Sequence, residues 1–265
     1  MPDAIVSRIQ TELTSLELSQ DVVVLLAVES GSRAWGFPSV DSDYDVRFIY
    51  LHRRDWYLSI ELESLPDVIE QPIRESLDLS GWDVRKALRL FRKSNPPLLE
   101  WLQCPTIYRE RFSFADQLRK LLPRFYSPNA SFFHYLHMAR GNVREYLRGD
   151  IVWRKKYFYV LRPLLAMLWI ERGLGPVPIE FHRLLEATVT EADLREEIYR
   201  LLEAKRAGAE LDRGPKIEAI GRFIDIEMHR LGNATIGKRG GAPPVDLLND
   251  LFRDTLAEVW NSGTD

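Results

Sequence analysis

Glu29-Ser30-Gly31-Ser32-Arg33-Ala34-Trp35-Gly36-Phe37-Pro38-Ser39-Val40-Asp41-Ser42-Asp43-Tyr44-Asp45 follows directly on the apolar run Val22 to Val28. That run is rich in β-branched residues and short enough to be a buried strand. A glycine-serine turn ends it, and Tyr44 to Leu51 reads as a second strand. Asp43 and Asp45 stand two apart at its start, so a strand's period of two sends both carboxylates to one face and Tyr44 to the other.

Two carboxylates side by side repel unless cations neutralise them, and hard oxygen ligands favour Mg²⁺ or Mn²⁺. Asp78, in Ser76-Leu77-Asp78-Leu79-Ser80, interrupts an apolar strand pattern where an unpaired charge is expensive, which makes it the candidate third ligand. Asp83 is the runner-up, already accounted for as a helix N-cap. The competing explanation is a turn, in which Asp41-Ser42-Asp43-Tyr44-Asp45 only caps and solubilises a loop. Gly31 and Ser32 lie just past the first strand, where glycine lets backbone approach a ligand and successive N–H groups can hold phosphate oxygens. Arg33 could add a cation there, although an arginine at a turn is more often solvated. The chemistry these parts suit is phosphoryl or nucleotidyl transfer, with two metal ions about 3.5–4 Å apart.

Outward from this segment, the period changes several times in the first hundred residues, as a mixed sheet-and-helix region should. Ile5, Ile9, Leu13 and Leu16 keep a helical spacing. A short helix is expected over residues 53–60, and strands over 68–73 and 75–79. From Asp83, the spacing of Val84, Ala87, Leu88 and Phe91 predicts an amphipathic helix ending at Asn95-Pro96-Pro97. Those prolines suit the opening of the next helix, through Leu98, Leu99, Trp101 and Leu102.

Beyond about residue 112 helical periodicity dominates, with helices expected near 113–122, 130–148, 152–172, 179–187, 191–206, 215–230 and 245–259. The expected class is α+β: a catalytic region over 1–110 and a helical region over 111–265. Within the predicted 152–172 helix, Lys155, Tyr159 and Arg162 share a face with Lys156 beside them, a surface able to grip a triphosphate and stack a base. Pro163 should kink that helix or restart it. Phe158 and Trp169 read as core. His137, Arg140 and Arg144, with His134 nearby, are spaced for one helix surface, either a solvated face or the lining of an RNA-end groove. Gly232 to Pro244, with Lys238-Arg239-Gly240-Gly241, should be a loop, ordinary or phosphate-contacting.

The 265 residues, 45% hydrophobic and 28% charged, suffice for a substantial core and exclude disordered and fibrous classes. A net charge of −3 gives no global attraction to a polyanion, so nucleic acid would have to be met by local clusters of the 36 basic residues. The single cysteine, Cys104, excludes an internal disulfide and reads as packed beside Pro105. The five histidines lack the paired spacing of a zinc site. With no signal-peptide pattern and no apolar stretch of membrane length, a soluble, cytoplasmic protein with no membrane partner is the expectation.

Gly31-Ser32 followed, eleven residues after the serine, by Asp43-x-Asp45 resembles the signature of DNA polymerase β-type nucleotidyltransferases. Gly31 to Phe37, Asp41 to Asp45, Leu77 to Asp83, Asn95-Pro96 with Glu100-Trp101-Leu102, and Lys155 to Pro163 resemble the branch of predicted nucleotidyltransferases associated with RNA repair ligases. The likeness spans roughly residues 20 to 230. It implies a palm-like mixed sheet, metal positions at Asp43, Asp45 and Asp78, and nucleotide-phosphate positions at Gly31 and Ser32. It also implies two Mg²⁺ or Mn²⁺ ions and a nucleoside triphosphate as substrate, with Asp78 nearest the attacking hydroxyl. The acceptor is left open between an RNA end and a protein or small molecule. The rival from another class is a nucleotide sensor or RNA-binding module that keeps the fold without the reaction.

Overall fold

The computed structural model describes residues 3–208, 213–237 and 243–261. Helix α1 (Asp3–Gln20) buries the stripe Ile9, Leu13 and Leu16 and leads into β1 (Val22–Glu29), whose residues are buried on both faces. A one-turn helix α2 (Gly31–Ala34) and a loop connect β1 to β2 (Tyr44–His52), which pairs with it antiparallel. Two 3-10 turns (Arg54–Leu58 and Leu62–Ser64) occupy the segment expected to be a short helix and its continuation.

β3 (Val68–Glu70) and β4 (Leu77–Asp83) replace the two predicted strands at shifted bounds. The intervening turn has no glycine, yet Glu75 and Ser76 take positive φ there, which is why its signal was faint. β5 (Ile107–Glu110), which no sequence signal marked, pairs antiparallel with β1. The sheet order is β3-β4-β2-β1-β5, with β2 and β4 parallel and the other neighbours antiparallel.

Asp83 ends β4 and accepts a hydrogen bond from Arg85 N at 2.8 Å, capping α3 (Val84–Arg92) as its sequence position predicts. Asn95 caps α4 (Pro96–Gln103) in the same way, with both prolines in the first turn. Then come α5 (Phe114–Phe125), α6 (Pro128–Tyr146), α7 (Tyr157–Glu171), α8 (Phe181–Thr188), α9 (Ala192–Arg206), α10 (Glu218–Gly232) and α11 (Asp246–Trp260). The stretch expected as one helix over 152–172 opens instead with β6 (Ile151–Trp153) and a 3-10 turn (Arg154–Lys156). β6 pairs antiparallel with β7 (Arg213–Pro215), so the helical region also carries a two-stranded ribbon. α7 runs through Pro163 without a break in its span.

The sheet separates two hydrophobic clusters. Val46, Phe48 and Tyr50 of β2 face α1, whereas Ile49 and Leu51 face a layer built from α3, α4, α5 and α11. A third cluster joins α6 to α10 around the largely buried α7 and takes in Phe37 from the loop after α2. Phe158 lies in it fully buried and Trp169 packs against it, as core positions should. Among the described residues, no helix is long and apolar enough to cross a membrane.

Candidate active site

β2 alternates, so Asp45 and Arg47 point the same way as Ile49 and Leu51, at the open end of that face. Asp45 and Asp78 are direct partners in the parallel β2–β4 register, which sets their backbones roughly 5 Å apart and their carboxylates on one face. Arg47 joins them: its Nη2 lies 3.3 Å from Asp45 Oδ1 and 2.8 Å from Asp78 Oδ2. Burial raises the Asp45 carboxyl above the ordinary aspartate range; Arg47 opposes the rise, and the Asp78 and Asp43 charges add to it. Asp43 sits one residue before β2, exposed, close enough for its charge to act on Asp45.

The backbone under Asp45 is held by Glu29, a buried carboxylate at the end of β1. Glu29 accepts from Asp45 N at 2.8 Å, from Ser30 N at 3.2 Å and from the Tyr108 hydroxyl at 2.5 Å. Burial raises its pKa, and those three donors oppose the rise. Gly31 opens α2 with φ +58°, and the Asp45 carboxylate lies directly against its Cα. The first N–H groups of α2 have no partner within the helix, and they sit beside the acids. Ser32 Oγ donates to Ser42 Oγ at 3.1 Å.

Arg33 is not a free cation at the turn. Its Nε donates to the Asp43 carbonyl at 3.0 Å, its Nη2 to the Ser42 carbonyl at 2.8 Å, and its guanidinium lies 3.8 Å from the centre of the Tyr44 ring. It therefore straps the acid-bearing loop to the glycine turn.

The basic segment divides. Tyr159, 41% exposed, stands edge-on to Trp35 at 5.8 Å, and the Asp45 and Asp43 charges reach its hydroxyl. Lys156 Nζ lies 4.3 Å from the Tyr159 ring centre and 4.9 Å from that of Tyr146. Burial lowers the Lys156 pKa, and the neighbouring Lys155 charge lowers it further. Lys155 is in the 3-10 turn, where helical spacing does not apply, so it does not share a helix face with Tyr159.

The expectation for Arg162 is corrected outright. It is 2% exposed, with Nη1 2.7 Å from Glu100 Oε1 and Nη2 3.3 Å from the Ile179 carbonyl. Glu100 also receives the Tyr135 hydroxyl at 3.1 Å and Trp35 Nε1 at 3.4 Å. A group so enclosed braces the interior and cannot meet a triphosphate at the surface.

His137, Arg140 and Arg144 lie exposed along α6, and His134 is partly buried with its pKa lowered, first by that burial and then by the His137 charge. Lys238-Arg239 falls outside the described residues. Cys104 is buried, its thiol pushed up to about 11 by desolvation.

Glu29, Arg47, Trp35 and Tyr146 were not foreseen. Arg47 had a legible signal, since it sits two residues after Asp45 in a strand of period two. The all-oxygen donor set of Asp43, Asp45 and Asp78 has the chemistry of a magnesium site, and the mutual repulsion at Asp45 calls for a cation. In the conformation described, that cation is Arg47, and no group of three His, Cys, Asp or Glu side chains converges tightly enough to hold a metal ion among the described residues.

Residues 5–254 match the profile of the RNA repair pathway DNA polymerase beta family, RlaP. The chain is 52% identical over 259 residues to YcgL, an uncharacterized protein of Bacillus subtilis (strain 168), covering 97% of this chain and 98% of that one. A nucleotidyltransferase-like protein from Exiguobacterium sibiricum 255-15 is 16% identical, over 98% of this chain and 81% of that one; its TM-score of 0.33 means the two superpose only loosely.

Proposed function

The chain belongs to the RNA repair pathway DNA polymerase beta family, and from that premise we propose that it is a metal-dependent nucleotidyltransferase moving a nucleoside monophosphate from an NTP to an acceptor hydroxyl. The observation that carries this is the packing of Asp45 against Gly31, with Asp78 alongside on the parallel neighbour strand. A glycine turn and an acidic pair are thereby joined at one point.

In this proposal the N–H groups opening α2 and the Ser32 hydroxyl receive the triphosphate, and Tyr159 with Trp35 offers a wall of rings for the base. Lys156, between two rings, neutralises phosphate charge. Glu29 fixes Asp45 through its backbone and Arg33 fixes Asp43 through its carbonyl, so the acids are positioned before substrate arrives. Transfer forms a bond from the α-phosphorus to the acceptor oxygen and breaks the bond to pyrophosphate, and Asp78 takes the proton leaving the acceptor hydroxyl. Asp43, Asp45 and Asp78 would hold Mg²⁺ or Mn²⁺, which when bound supplies charge neutralisation and a more acidic hydroxyl.

A second reading has its own observation. Because Arg47 already bridges Asp45 and Asp78 and offsets part of their charge, a nucleotide-binding module that performs no transfer also fits. The deciding measurement is pyrophosphate release from each of four NTPs with Mg²⁺ or Mn²⁺, with and without total tRNA, in the wild type and in Asp43→Ala/Asp45→Ala. Release that vanishes in the double variant supports transfer, and its dependence on RNA identifies the acceptor class. Nucleotide binding without release under any condition supports the module.

A further inference from the structure

The β6–β7 ribbon presents a combination of side chains that the fold itself does not need. Val152 is the ribbon's buried residue, while its neighbours Ile151 and Trp153 remain 48% and 39% exposed. Trp153 is flanked by one cation from the following turn and one from the partner strand: Lys155 Nζ lies 5.6 Å from its ring centre and the Arg213 guanidinium 5.8 Å. The ribbon is held in this shape by Arg154, whose Nε donates to the Pro215 carbonyl at 3.1 Å while its side chain lies across Gly214. A Cβ at Gly214 would come within 2.7 Å of Arg154 Nε, so a side chain there would displace that strap.

The series does not stop at the ribbon. Three residues beyond Trp153, Lys156 lies against the rings of Tyr146 and Tyr159, and Tyr159 meets Trp35 next to the glycine turn. Cation–ring pairs thus lie at both ends of the Arg154–Lys156 turn, and the one at Lys156 includes Tyr159, which the Asp45 and Asp43 charges reach. Cations beside exposed rings are the recognition chemistry of unpaired nucleotides, whose bases stack on any π-face and whose phosphates need positive charge. Across residues 150–156 and 213–216 the balance is positive, with Arg154, Lys155, Lys156, Arg213 and Lys216 against Asp150.

We propose that this track, anchored by Trp153 and Arg213 on the β6–β7 ribbon, binds a single-stranded RNA end and leads its terminal nucleotide toward Asp45 and Asp78. The proposal rests on the nucleotidyl-transfer reading for what happens at the acids, and on the ribbon alone for where RNA binds.

The test is fluorescence anisotropy of a labelled 12-nucleotide single-stranded RNA, without nucleotide, on the full chain. Trp153→Ala should weaken binding about tenfold and Trp153→Phe should restore most of it, because phenylalanine still stacks. Arg213→Ala should lower the slope of log affinity against log salt by about 0.7, one phosphate contact on a single strand. Melting temperatures taken alongside exclude unfolding, and the Phe variant keeps the test decisive if the Ala variant is unstable. Equilibrium dialysis with ATP should be unchanged in Trp153→Ala and Arg213→Ala. Equal RNA binding by the wild type and both variants overturns the proposal, as does a wild type that binds ATP but no single-stranded RNA. RNA binding lost on Trp153→Ala in a protein that never releases pyrophosphate upholds the track and sinks only the transfer.

Discussion

Asp45 Oδ2 lies 2.0 Å from where a Cβ on Gly31 would be, so the acid and the glycine turn can coexist only while residue 31 has no side chain. The same residue has φ +58°, which costs an L-residue about 1–2 kcal/mol. Gly31→Ala should therefore do two separable things. The melting temperature should fall by several °C, at about 2–4 °C per kcal/mol for a chain of this size. Pyrophosphate release should fall by about a hundredfold or more, because the carboxylate must move by an ångström or so. A variant with normal activity would show that Asp45 need not rest on the turn.

Arg47 is the cation that Asp45 and Asp78 share. Arg47→Gln leaves two partly exposed carboxylates facing each other, a loss of order 1 kcal/mol after solvent screening. In EDTA the variant should melt a few °C below the wild type. Adding Mg²⁺ should then raise its midpoint more than the wild type's, since an ion that binds only the folded state stabilises it by mass action. An identical Mg²⁺ response in both proteins would argue that Arg47 and a metal do not compete for the same carboxylates.

What was legible in the sequence was local. The strand over Val22 to Val28, the turn at Gly31 and the strand that carries Asp45 all follow from period two and from where glycine is tolerated. β5 was not legible, because four residues from Ile107 to Glu110 become a strand only by pairing with β1 some eighty positions earlier. The reading of residues 152–172 as one helix failed at its start: the 3-10 turn over Arg154–Lys156 breaks the spacing that placed Lys155 with Tyr159. Arg162 kept its helical position, but its partner Glu100 comes from α4, a tertiary contact that no periodicity encodes.

That ion pair makes its own prediction. Arg162 is enclosed and Glu100 nearly so, and removing one member of a buried pair strands the other charge at a cost of about 3 kcal/mol. Arg162→Met should lower the urea midpoint accordingly. Glu100→Gln/Arg162→Met should be less destabilised than the two single variants sum to, since no charge is left alone. The KM for NTP, measured well below the melting temperature, should stay near the wild-type value. A stable Arg162→Met with a raised KM would instead place Arg162 on the nucleotide.

Asp83 supplies a pH signature away from the acids. It is 1% exposed, its carboxyl is pushed up to about 6 by burial, and it receives the Tyr57 hydroxyl at 2.7 Å. A carboxyl whose folded pKa lies above its unfolded value binds a proton in the native state first. Its contribution is therefore full below the unfolded value near 3.8 and is lost as pH rises through about 6. Raising a carboxyl from 3.8 to about 6 is worth at most about 3 kcal/mol. Asp83→Asn keeps an oxygen to accept from Arg85 N but has no proton to lose, so it lacks this dependence. The stability of the wild type minus that of the variant, from urea unfolding at each pH, should therefore decrease steadily from pH 4 to pH 7. Subtraction cancels shared titrations such as that of His52, which burial lowers to about 4. A difference that stays flat across the range would mean that Asp83 is ionised in the folded protein throughout, with Tyr57 and the Arg85 N–H sufficient to hold its charge.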